Sequence, residues 1–241
     1  MSKERVDALL VSRGLCESRE QAKRLIMAGE VLVGTERVAK PSQKVAADAE
    51  LHVKERPKYV GRGGFKLEGA LEAFAIDPAG WVCADVGSST GGFTDCLLQR
   101  GAAKIHAIDV GTNQLAWKLR NDERVVVREQ FNARYLKPED LGERVDLAVM
   151  DLSFISLTKV LPAVFSILKE GGSAISLVKP QFELRREEVG KGGIVREADL
   201  HEKAVRKIED FVRAEGREWR GLIPSPIKGG DGNVEFLAWI G

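Results

Sequence analysis

The stretch WVCADVGSSTGGFT, residues 81–94, decides the fold of the chain. Its first part, from Trp81 to Asp85, is mostly apolar and predicts a buried β-strand. Three glycines follow, at positions 87, 91 and 92, and a helical pattern begins at Thr94. Glycine lets the backbone pass close to a ligand at the start of a helix. The stretch therefore predicts a strand, a ligand-binding loop and a helix in succession.

Apolar, strand-like runs alternate with helical patterns from residue 67 onward. The predicted strands are Trp81–Asp85, Lys104–Asp109, Val125–Arg128, Val145–Asp151, Ser173–Val178, Glu218–Ile223 and Val234–Ile240. Helices fit between them, for example at Thr94–Arg100, Leu157–Leu168 and Ala198–Glu215. This alternation predicts the α/β class, with a mostly parallel, doubly wound sheet. In such sheets the ligand binds beyond the carboxyl ends of the strands.

The glycine spacing narrows the choice of ligand. It is not the G-x-G-x-x-G of dinucleotide-binding proteins, and no Gly-Lys-Ser/Thr follows as in a Walker loop. An acidic residue followed by Gly-x-x-x-Gly-Gly is instead similar to motif I of S-adenosylmethionine-dependent methyltransferases. The carboxylate of Asp85 suits a methyl donor, which carries a sulfonium and an amino group rather than phosphates. Asp109, 24 residues later at the end of the second strand, can accept hydrogen bonds from both hydroxyls of a ribose.

This similarity implies a Rossmann-like methyltransferase domain with S-adenosylmethionine as cofactor. Asn132, after the third strand, is a candidate for the adenine end of the pocket. The implied cofactor-binding residues are Asp85, Gly87, Ser88, Gly91, Gly92, Phe93, Thr94, Asp109, Val110, Asn132 and Asp151.

Four charged residues lie where a plain α/β fold does not need them. They are Lys66, Asp151, Lys179 and Glu235. Each of them alone could be a solvated strand end or part of a structural ion pair. Glu235, however, interrupts an apolar strand, where an unpaired carboxylate is costly. As an ordered set they resemble the Lys-Asp-Lys-Glu tetrad of RNA ribose 2′-O-methyltransferases related to FtsJ.

The resemblance implies a role for each member of the tetrad. A ribose hydroxyl is a poor nucleophile until its proton is removed, and Lys179 is the candidate base. A lysine can act as base only when its pKa, about 10.4 in water, is lowered or when it is held deprotonated transiently. Asp151 would orient Lys179, while Lys66 and Glu235 would position the ribose and balance the charge. This chemistry requires no metal.

The first sixty residues have the pattern of a small α+β module. Two short helices are predicted, and the second opens at Ser18 with Gln21 three residues on, as in a capping box. Two short strands follow, at Val31–Val33 and around Val38, joined by a turn of residues 34–37. This arrangement resembles the alpha-L RNA-binding domain of a small-subunit ribosomal protein and of many pseudouridine synthases.

The charge distribution agrees with an RNA-binding role for this module. Residues 1–66 carry 14 Lys and Arg against 9 Asp and Glu, whereas residues 67–241 carry 23 against 27. A basic module on a mildly acidic body suggests contact with a polyanion. The predicted RNA-binding residues are Arg5, Arg19, Lys23, Arg24, Lys40 and Arg62.

Composition excludes several classes of protein. Hydrophobic residues make up 44% and charged residues 30%, the mix of a globular protein. Cys16, Cys83 and Cys96 are an odd, scattered set, which argues against a disulfide framework and fits a reducing cytoplasm. Three separated histidines predict no metal site, and no apolar run reaches the roughly 18–20 residues of a membrane span. The first residues also lack the apolar core of a signal peptide.

Along essentially its whole length the chain resembles the TlyA family, in which an alpha-L module precedes an FtsJ-like domain. The resemblance implies an RNA-binding domain at residues 1–54, a linker at 55–62 and a methyltransferase domain at 63–241. It also implies 2′-O-methylation of ribosomal RNA, at cytidine, in the cytoplasm. Ribosomal RNA or ribosomal subunits are the expected partners, with no membrane, and the oligomeric state stays open.

Four other functions fit the sequence less well. An RNA-binding protein with an inactive methyltransferase body would lack part of the tetrad, which this chain retains. A methyltransferase acting on an RNA base would more often carry a catalytic cysteine or an Asn/Asp-Pro-Pro-Tyr-like loop. Here the fourth strand ends in Asp-Leu-Ser-Phe, and none of the three cysteines lies in a suitable loop. A membrane-lytic hemolysin would need a membrane span or a strongly amphipathic helix. A nicotinamide-dependent oxidoreductase would need a different glycine spacing.

Aromatic residues and glycine-rich loops also flank the predicted site. Phe93, Phe154 and Phe182 are neighbours of proposed site residues, where a flipped cytosine could stack, although core packing is the other explanation for each. The loop at residues 190–193 is a candidate flap. The loop at residues 224–233, just before Glu235, is a candidate wall of the ribose pocket.

Overall fold

The structure is a computed structural model that describes residues 3–54, 57–230 and 232–241. The chain divides into two compact units, residues 1–58 and 59–241. The division falls inside the segment predicted as a linker. Residues 55 and 56 of that segment lie outside the described part of the chain, as does Asp231 of the predicted pocket wall.

Within the described residues, the first unit contains two short helices and five short strands. They are β1 (Lys3–Arg5), α1 (Val6–Ser12), α2 (Arg19–Met27), β2 (Val31–Val33), β3 (Glu36–Arg37), β4 (Lys44–Ala46) and β5 (Leu51–Val53). β1 pairs with β4, and a separate three-stranded sheet has the order β3-β2-β5, with every pair antiparallel. Apolar side chains of the helices and strands form one buried core.

The local signals of the first unit are confirmed with two adjustments. The Ser18 hydroxyl accepts a hydrogen bond from the backbone N–H of Gln21 at 3.2 Å. The Gln21 side chain, however, accepts its bond from the backbone of Glu17, at 2.8 Å, rather than from Ser18. The predicted turn at residues 34–37 is shorter than expected, because β3 already begins at Glu36.

The second unit is built on one seven-stranded sheet with helices on both faces. Its helices are α3 (Gly63–Ala73), α4 (Gly92–Gln99), α5 (Trp117–Arg120), α6 (Pro138–Leu141), α7 (Leu161–Ile167), α8 (Pro180–Glu183) and α9 (Ala198–Ala214). Its strands are β6 (Val82–Val86), β7 (Lys104–Ile108), β8 (Val125–Arg128), β9 (Val145–Met150), β10 (Leu168–Val178), β11 (Trp219–Pro224) and β12 (Phe236–Ile240).

The strand order is β11-β12-β10-β9-β6-β7-β8. The five strands from β10 to β8 are parallel, and β12 runs antiparallel to both of its neighbours. This is the mostly parallel, doubly wound α/β sheet that the sequence predicts.

Side chains of the central strands alternate between two buried cores. On β9, Leu147 and Val149 belong to the core that includes α3 and α4, whereas Ala148 and Met150 belong to the core that includes α7 and α9. Successive residues of a strand point to opposite faces, so a sheet buried on both faces requires an uninterrupted apolar run. With both faces covered, a ligand has access only at the ends of the strands.

The predicted helix at Leu157–Leu168 is shorter in the structure. A 3₁₀ turn, Leu157–Lys159, precedes α7, and Leu168 already belongs to β10. Pro162 lies in the first turn of α7. Proline lacks the N–H that a continuous helix would need at this position, so the helix begins there instead of running through.

The helical pattern predicted from residue 67 onward belongs to α3, but the helix begins four residues earlier and carries one of the proposed site residues there. Its first two residues are Gly63 and Gly64, and glycine disfavours a helix by about 1 kcal/mol per residue relative to alanine. The buried side chains of Leu67 and Leu71 pack into the core that α3 and α4 form on one face of the sheet. Tertiary packing therefore stabilises this helix against its local preference.

Candidate functional site

The glycine loop between β6 and α4 is held by the ends of neighbouring strands. The backbone N–H groups of Gly87 and Ser88 donate to the carbonyl oxygen of Ile108, at 2.8 and 3.1 Å. Gly87 has φ = 88°, and a Cβ there would lie 2.6 Å from the backbone oxygen of Asp151. Only glycine fits this position, for two reasons. Other residues are disfavoured in the left-handed backbone conformation, and their Cβ atom would collide with the chain at the end of β9. The loop therefore lies directly against Asp151.

Asp85 is fully buried near the end of β6. Its Oδ2 atom accepts hydrogen bonds from the backbone N–H and the hydroxyl of Thr94, at 2.9 and 2.6 Å. Its Oδ1 atom is buried without a hydrogen-bond partner among the described residues. Burial raises the pKa of Asp85 to about 7, although the bonds from Thr94 oppose this shift. A buried carboxylate with an unpaired oxygen can accept a bond from a ligand.

Asp109 connects the glycine loop to the loop that follows β7. Its two carboxylate oxygens accept bonds from the backbone N–H groups of Ser89 and Gly111, both at 2.7 Å. Farther along the loop after β7, the backbone N–H groups of residues 113–115 donate to the carboxylate of Glu129, the residue that follows β8. These bonds give both loops a defined position, and sequence reasoning missed the contribution of Glu129.

Two adjoining cavities open at the carboxyl ends of the parallel strands. The smaller, of about 250 Å³, is lined by the glycine loop, by residues 61–63, and by Lys179. The larger, of about 450 Å³, is lined by the loops that follow β7, β8 and β9. Gly87 and Asp151 line both cavities, so the two spaces meet beside the glycine loop.

Most of the predicted cofactor residues face these cavities. Those that line one or both are Asp85, Gly87, Ser88, Gly92, Phe93, Asp109, Val110, Asn132 and Asp151. Gly91 and Thr94 lie behind the wall. A Cβ at Gly91 would lie 2.3 Å from the Leu119 side chain, and Thr94 is turned toward Asp85. Their contribution to the site is therefore to shape the loop.

The four charged residues form one chain of alternating charge. Lys179 Nζ lies 2.6 Å from Asp151 Oδ1. Lys66 Nζ lies 3.9 Å from Asp151 Oδ2 and 2.5 Å from Glu235 Oε2. The side chains of Lys66 and Glu235 are 8% and 3% exposed, whereas that of Asp151 is 24% exposed. The more buried pair thus supports the two residues, Asp151 and Lys179, that line the smaller cavity.

Four different elements bring these side chains together. Lys66 lies in the first turns of α3, Asp151 follows β9, Lys179 follows β10, and Glu235 precedes β12. Because β12 runs antiparallel to β10, its start lies at the carboxyl end of the parallel strands, with Phe236 paired to Val178. Glu235, the buried carboxylate that interrupts the apolar run of residues 234–240, therefore reaches the site from the start of its strand, whereas Asp151 and Lys179 reach it from the ends of theirs.

Sequence reasoning also missed Ser153, which lies beside the tetrad. Lys179 Nζ donates to Ser153 Oγ at 2.9 Å, in addition to its contact with Asp151. Ser153 also lines both cavities. The Asp-x-Ser spacing after β9 could have predicted this role, because residues two apart in an extended chain point to the same side.

The three phenylalanines near the site differ in exposure. Phe93 is buried, with 3% of its surface exposed, whereas Phe154 is 91% exposed and has φ = 64°. The Phe154 and Phe182 rings lie 5.2 Å apart between centroids. A non-glycine residue in the left-handed region is costly and points to a functional use. Phe154, rather than Phe93, is the aromatic face available to a ligand at the rim of the larger cavity.

In the first unit, two of the predicted RNA-binding arginines are fixed by one carboxylate. Arg5 donates two hydrogen bonds to Asp7, at 3.0 and 2.9 Å, and Arg19 donates a third at 3.0 Å. Asp7 is fully buried, and its hydrogen bonds with Arg5 and then Arg19 lower its pKa to about 2. The Arg5 and Arg19 side chains stay 43% and 55% exposed. They are therefore held in place with their outer edges toward solvent.

The other predicted RNA-binding residues are less constrained. Lys23 pairs with Glu20 at 2.7 Å on the surface of α2, and Arg24 and Lys40 are exposed. Arg62, in the second unit, donates to the carbonyl oxygen of Lys228 at 2.8 Å and lines the smaller cavity. The structure thus places five of these residues on the first unit and one at the mouth of the site.

Within residues 3–54, 57–230 and 232–241, no group of three or more His, Cys, Asp or Glu side chains could hold a metal ion. The described part of the chain also has no helix that combines the length and the apolar character needed to cross a membrane. Cys16, Cys83 and Cys96 are buried, and none of them forms a disulfide bond.

Comparison with known proteins identifies two families. Residues 59–241 match the model of the FtsJ-like methyltransferase family, and residues 4–51 match that of the S4 domain. These two matches agree with the two resemblances carried by the sequence motifs.

Individual relatives cover nearly the whole chain. YqxC of Bacillus subtilis, whose name describes a candidate rRNA methyltransferase, is 53% identical over 98% of this chain and 84% of its own. The 16S/23S rRNA (cytidine-2′-O)-methyltransferase TlyA of Mycobacterium tuberculosis is 50% identical over 98% of this chain and 89% of its own. A solved structure described as a candidate hemolysin from Streptococcus thermophilus matches with a TM-score of 0.75 and 50% identity, over 100% of this chain and 88% of that one.

Proposed function

The chain belongs to the FtsJ-like methyltransferase family, as a TlyA relative with an S4 domain before the catalytic one, and we propose that it methylates a ribose 2′-hydroxyl of ribosomal RNA. The methyl donor is S-adenosylmethionine, and the modified nucleotide we propose is a cytidine, as the name of the TlyA relative states for that protein. The observation that carries the proposal is the alternating chain of Lys179, Asp151, Lys66 and Glu235 beside the two cavities.

The residues at the two cavities fit S-adenosylmethionine. The buried, unpaired Oδ1 of Asp85 would accept a bond from the amino group of the methionine part. Each oxygen of Asp109 accepts one backbone bond and keeps a second lone pair for a ribose hydroxyl. The space is of the size of small-molecule sites, about 300–1,000 Å³. When bound, this group supplies a methyl group on a positively charged sulfur.

Lys179 is the general base of the proposed reaction. Asp151 and Ser153 hold its Nζ at the wall of the smaller cavity, so its direction is fixed before substrate binds. In its neutral form it would take the proton of the 2′-hydroxyl, so that the hydroxyl oxygen can accept the methyl group; the methyl–sulfur bond would break as the new bond forms, and the sulfur would leave as a neutral thioether. Such general-base help is worth about 10²–10⁴-fold in rate. Lys66, neutralised by Glu235, would hold Asp151 in place from its other oxygen.

We assign RNA recognition to two places. One is the first unit, residues 1–58, which contains the S4 domain and is called the S4 unit; the other is the rim of the site. Arg5 and Arg19, held by Asp7, would contact phosphates in a fixed geometry, and these contacts would position the RNA rather than read its sequence. At the rim, the exposed ring of Phe154 would stack on the target base, since sequence-specific RNA recognition uses unstacked bases on aromatic side chains. We also propose that the protein acts in the cytoplasm, the compartment expected from this substrate.

The test is a labelling experiment with two matched lysine variants. The protein is incubated with tritiated S-adenosylmethionine and unmodified small or large ribosomal subunits, and the label is located by mass spectrometry after nuclease digestion. The Lys179→Ala variant should lose about 10²-fold or more of the rate while it still binds the cofactor. Lys169→Ala, at the opposite end of β10 where the lysine pairs with Asp146, should label as the wild type does.

Each other outcome contradicts a different part of the proposal. Label on a base atom would overturn the assignment of the ribose hydroxyl. Absence of label from both subunits, with cofactor bound, would point to another RNA. Failure to bind the cofactor even when RNA is present would favour an RNA-binding protein with an inactive methyltransferase body.

A further inference from the structure

The loop that carries Asp151 is anchored at both ends. At its start, the backbone N–H of Asp151 donates to the carbonyl oxygen of Val86 at 3.2 Å. At its end, the backbone N–H of Leu157 and the hydroxyl of Ser156 donate to the two carboxylate oxygens of Glu183, at 2.8 and 2.5 Å. At the far end of the loop, Glu183 therefore holds two consecutive residues with one carboxylate.

Glu183 belongs to the segment that carries the proposed base. It is the last residue of α8, one helical turn after Lys179, which is the residue before that helix. Its carboxylate thus joins the loop that follows β9 to the turn that follows β10. These are the two segments whose side chains meet in the 2.6 Å contact between Asp151 and Lys179.

The cost of burying Glu183 argues for a specific role. Its side chain is only 1% exposed, and a buried carboxylate is costly unless it is paired and hydrogen-bonded. The bonds that offset this cost go to Ser156 and Leu157 in the neighbouring loop. An apolar residue would fill the same space without the cost, but it could not hold the loop.

Lys207 of α9 completes the network. Its Nζ lies 2.6 Å from the backbone oxygen of Glu183, 3.1 Å from Glu183 Oε2 and 3.3 Å from Ser156 Oγ. The helix that carries it is 17 residues long and is buried through Ile208 and Val212. Lys207 therefore ties both segments to a packed helix, which gives the network a rigid support.

We propose that Glu183, supported by Lys207, is a positioning residue that sets the contact between Asp151 and Lys179. The inference rests on the proposed methyl transfer at this site. Among the described residues that line the two cavities, Glu183 is not included, so it acts through Asp151 and Lys179. A displacement of about 1 Å at a reacting group can cost about 10²-fold in rate.

Four variants test the proposal. Glu183→Ala removes the anchor, whereas Glu183→Gln keeps an oxygen for the N–H of Leu157 in a side chain of the same size. Lys207→Met removes the support. Lys203→Met, one turn earlier in α9, removes a lysine that pairs with Glu188 instead, and it is the matched control.

The expected result is a split between turnover and cofactor binding. Glu183→Ala should lower kcat by about 10- to 100-fold, and Glu183→Gln should restore most of it. The Kd for S-adenosylmethionine should change much less than kcat, by only a few-fold, because the two proposed carboxylate ligands of the cofactor, Asp85 in β6 and Asp109 after β7, lie on other segments. Hydrogen exchange of residues 151–157 should be faster in the alanine variant, and Lys203→Met should match the wild type in every measurement.

Two results would overturn the proposal. One is wild-type kcat in Glu183→Ala, and the other is a parallel fall of kcat, cofactor affinity and thermal stability, which would mean only a damaged fold. If the alanine variant does not fold, Lys207→Met decides by the same two measurements, with a smaller expected fall in kcat. If the wild type labels no ribosomal RNA, the proposed function fails separately, and exchange at residues 151–157 still decides whether Glu183 fixes the loop.

Discussion

At the scale of single residues, the Lys66–Glu235 pair shows how charge is kept inside this sheet. Both side chains are almost completely buried, with 2.5 Å between Nζ and Oε2. Removing two ions from water is costly for each of them, and their attraction compensates only with good geometry. A Cβ at Gly229 would lie 2.5 Å from Glu235 Oε1, so the preceding loop leaves space for this carboxylate. The pair therefore adds little to the stability of the fold. Its presence is better explained by its position beside Asp151, whose charge Lys66 faces.

Asp85 makes cofactor binding depend on pH. Its pKa, raised to about 7 by burial, leaves the carboxyl group mostly protonated at pH 6 in the ligand-free protein. A cationic amino group binds the ionised form, so affinity for S-adenosylmethionine should rise about fivefold between pH 6 and pH 7. Isothermal titration calorimetry at the two values measures this. Through the same group, stability of the ligand-free protein falls as pH rises from about 4 to about 7, because the folded state binds the proton more tightly than the unfolded chain.

The control for this prediction is Asp85→Asn, which keeps the size of the side chain but cannot ionise. It should bind the cofactor weakly and with equal affinity at both pH values. A wild-type protein without pH dependence, or an asparagine variant that retains it, would show that another group is responsible.

At the scale of elements, the turn from β6 to α4 depends on backbone shape more than on side chains. Gly87 and Gly91 have φ of 88° and 95°, and each faces a neighbour that a Cβ would meet. Gly80 also has a positive φ, 76°, but a Cβ there would meet nothing within 4 Å. The chain thus offers two kinds of glycine with similar backbone conformation and different surroundings.

This contrast separates backbone strain from displacement of the site. Gly80→Ala should cost about 1–2 kcal/mol of unfolding free energy and leave cofactor affinity unchanged. Gly87→Ala should cost about 2–5 kcal/mol and weaken cofactor binding, because its methyl group would push against the end of β9. Urea unfolding and calorimetric titration of both variants check the two quantities. Equal effects of the two substitutions would contradict the proposed contact with Asp151.

At the scale of the whole molecule, the basic charge is concentrated in the S4 unit. Residues 1–58 carry 12 Lys and Arg against 9 Asp and Glu, while residues 59–241 carry 25 against 27. Phosphate contacts release counterions, so RNA affinity should fall steeply as the salt concentration rises. We expect most of this salt dependence to come from the basic residues of the S4 unit. The rest of the chain contributes the chemistry instead of a general attraction to RNA.

Substitution of exposed basic residues in the S4 unit tests this division. The double variant Arg24→Ala/Lys40→Ala should bind ribosomal RNA more weakly, and the slope of log affinity against log salt should decrease by about 1 for each phosphate that the variant no longer neutralises. Its affinity for S-adenosylmethionine should not change. Filter binding at several salt concentrations measures the slope, with Lys169→Ala as control. An unchanged slope would mean that other residues neutralise the phosphates.

Much of this molecule follows from local pattern, and the rest from packing between distant segments. Asp151 and Lys179 could be placed together because each ends a strand of one parallel sheet. The role of Glu183 could not be predicted, since its bonds to Ser156 depend on how α8 and α9 pack against the loop. The start of helix α3 was missed for a related reason, because Gly63 and Gly64 weaken the local signal and packing against the core stabilises the helix.

The position of β12 has a consequence for the order of events during synthesis. This strand lies between β10 and β11, and the Glu235 next to it is 169 residues from its partner Lys66 along the chain. A nascent polypeptide in which the S4 unit and the glycine loop have already been synthesised still lacks Glu235, the carboxylate that neutralises Lys66. The position between β10 and β11 is filled only after translation has passed β12. The charged tetrad is therefore complete only after β12 has been made, long after the first unit has been translated.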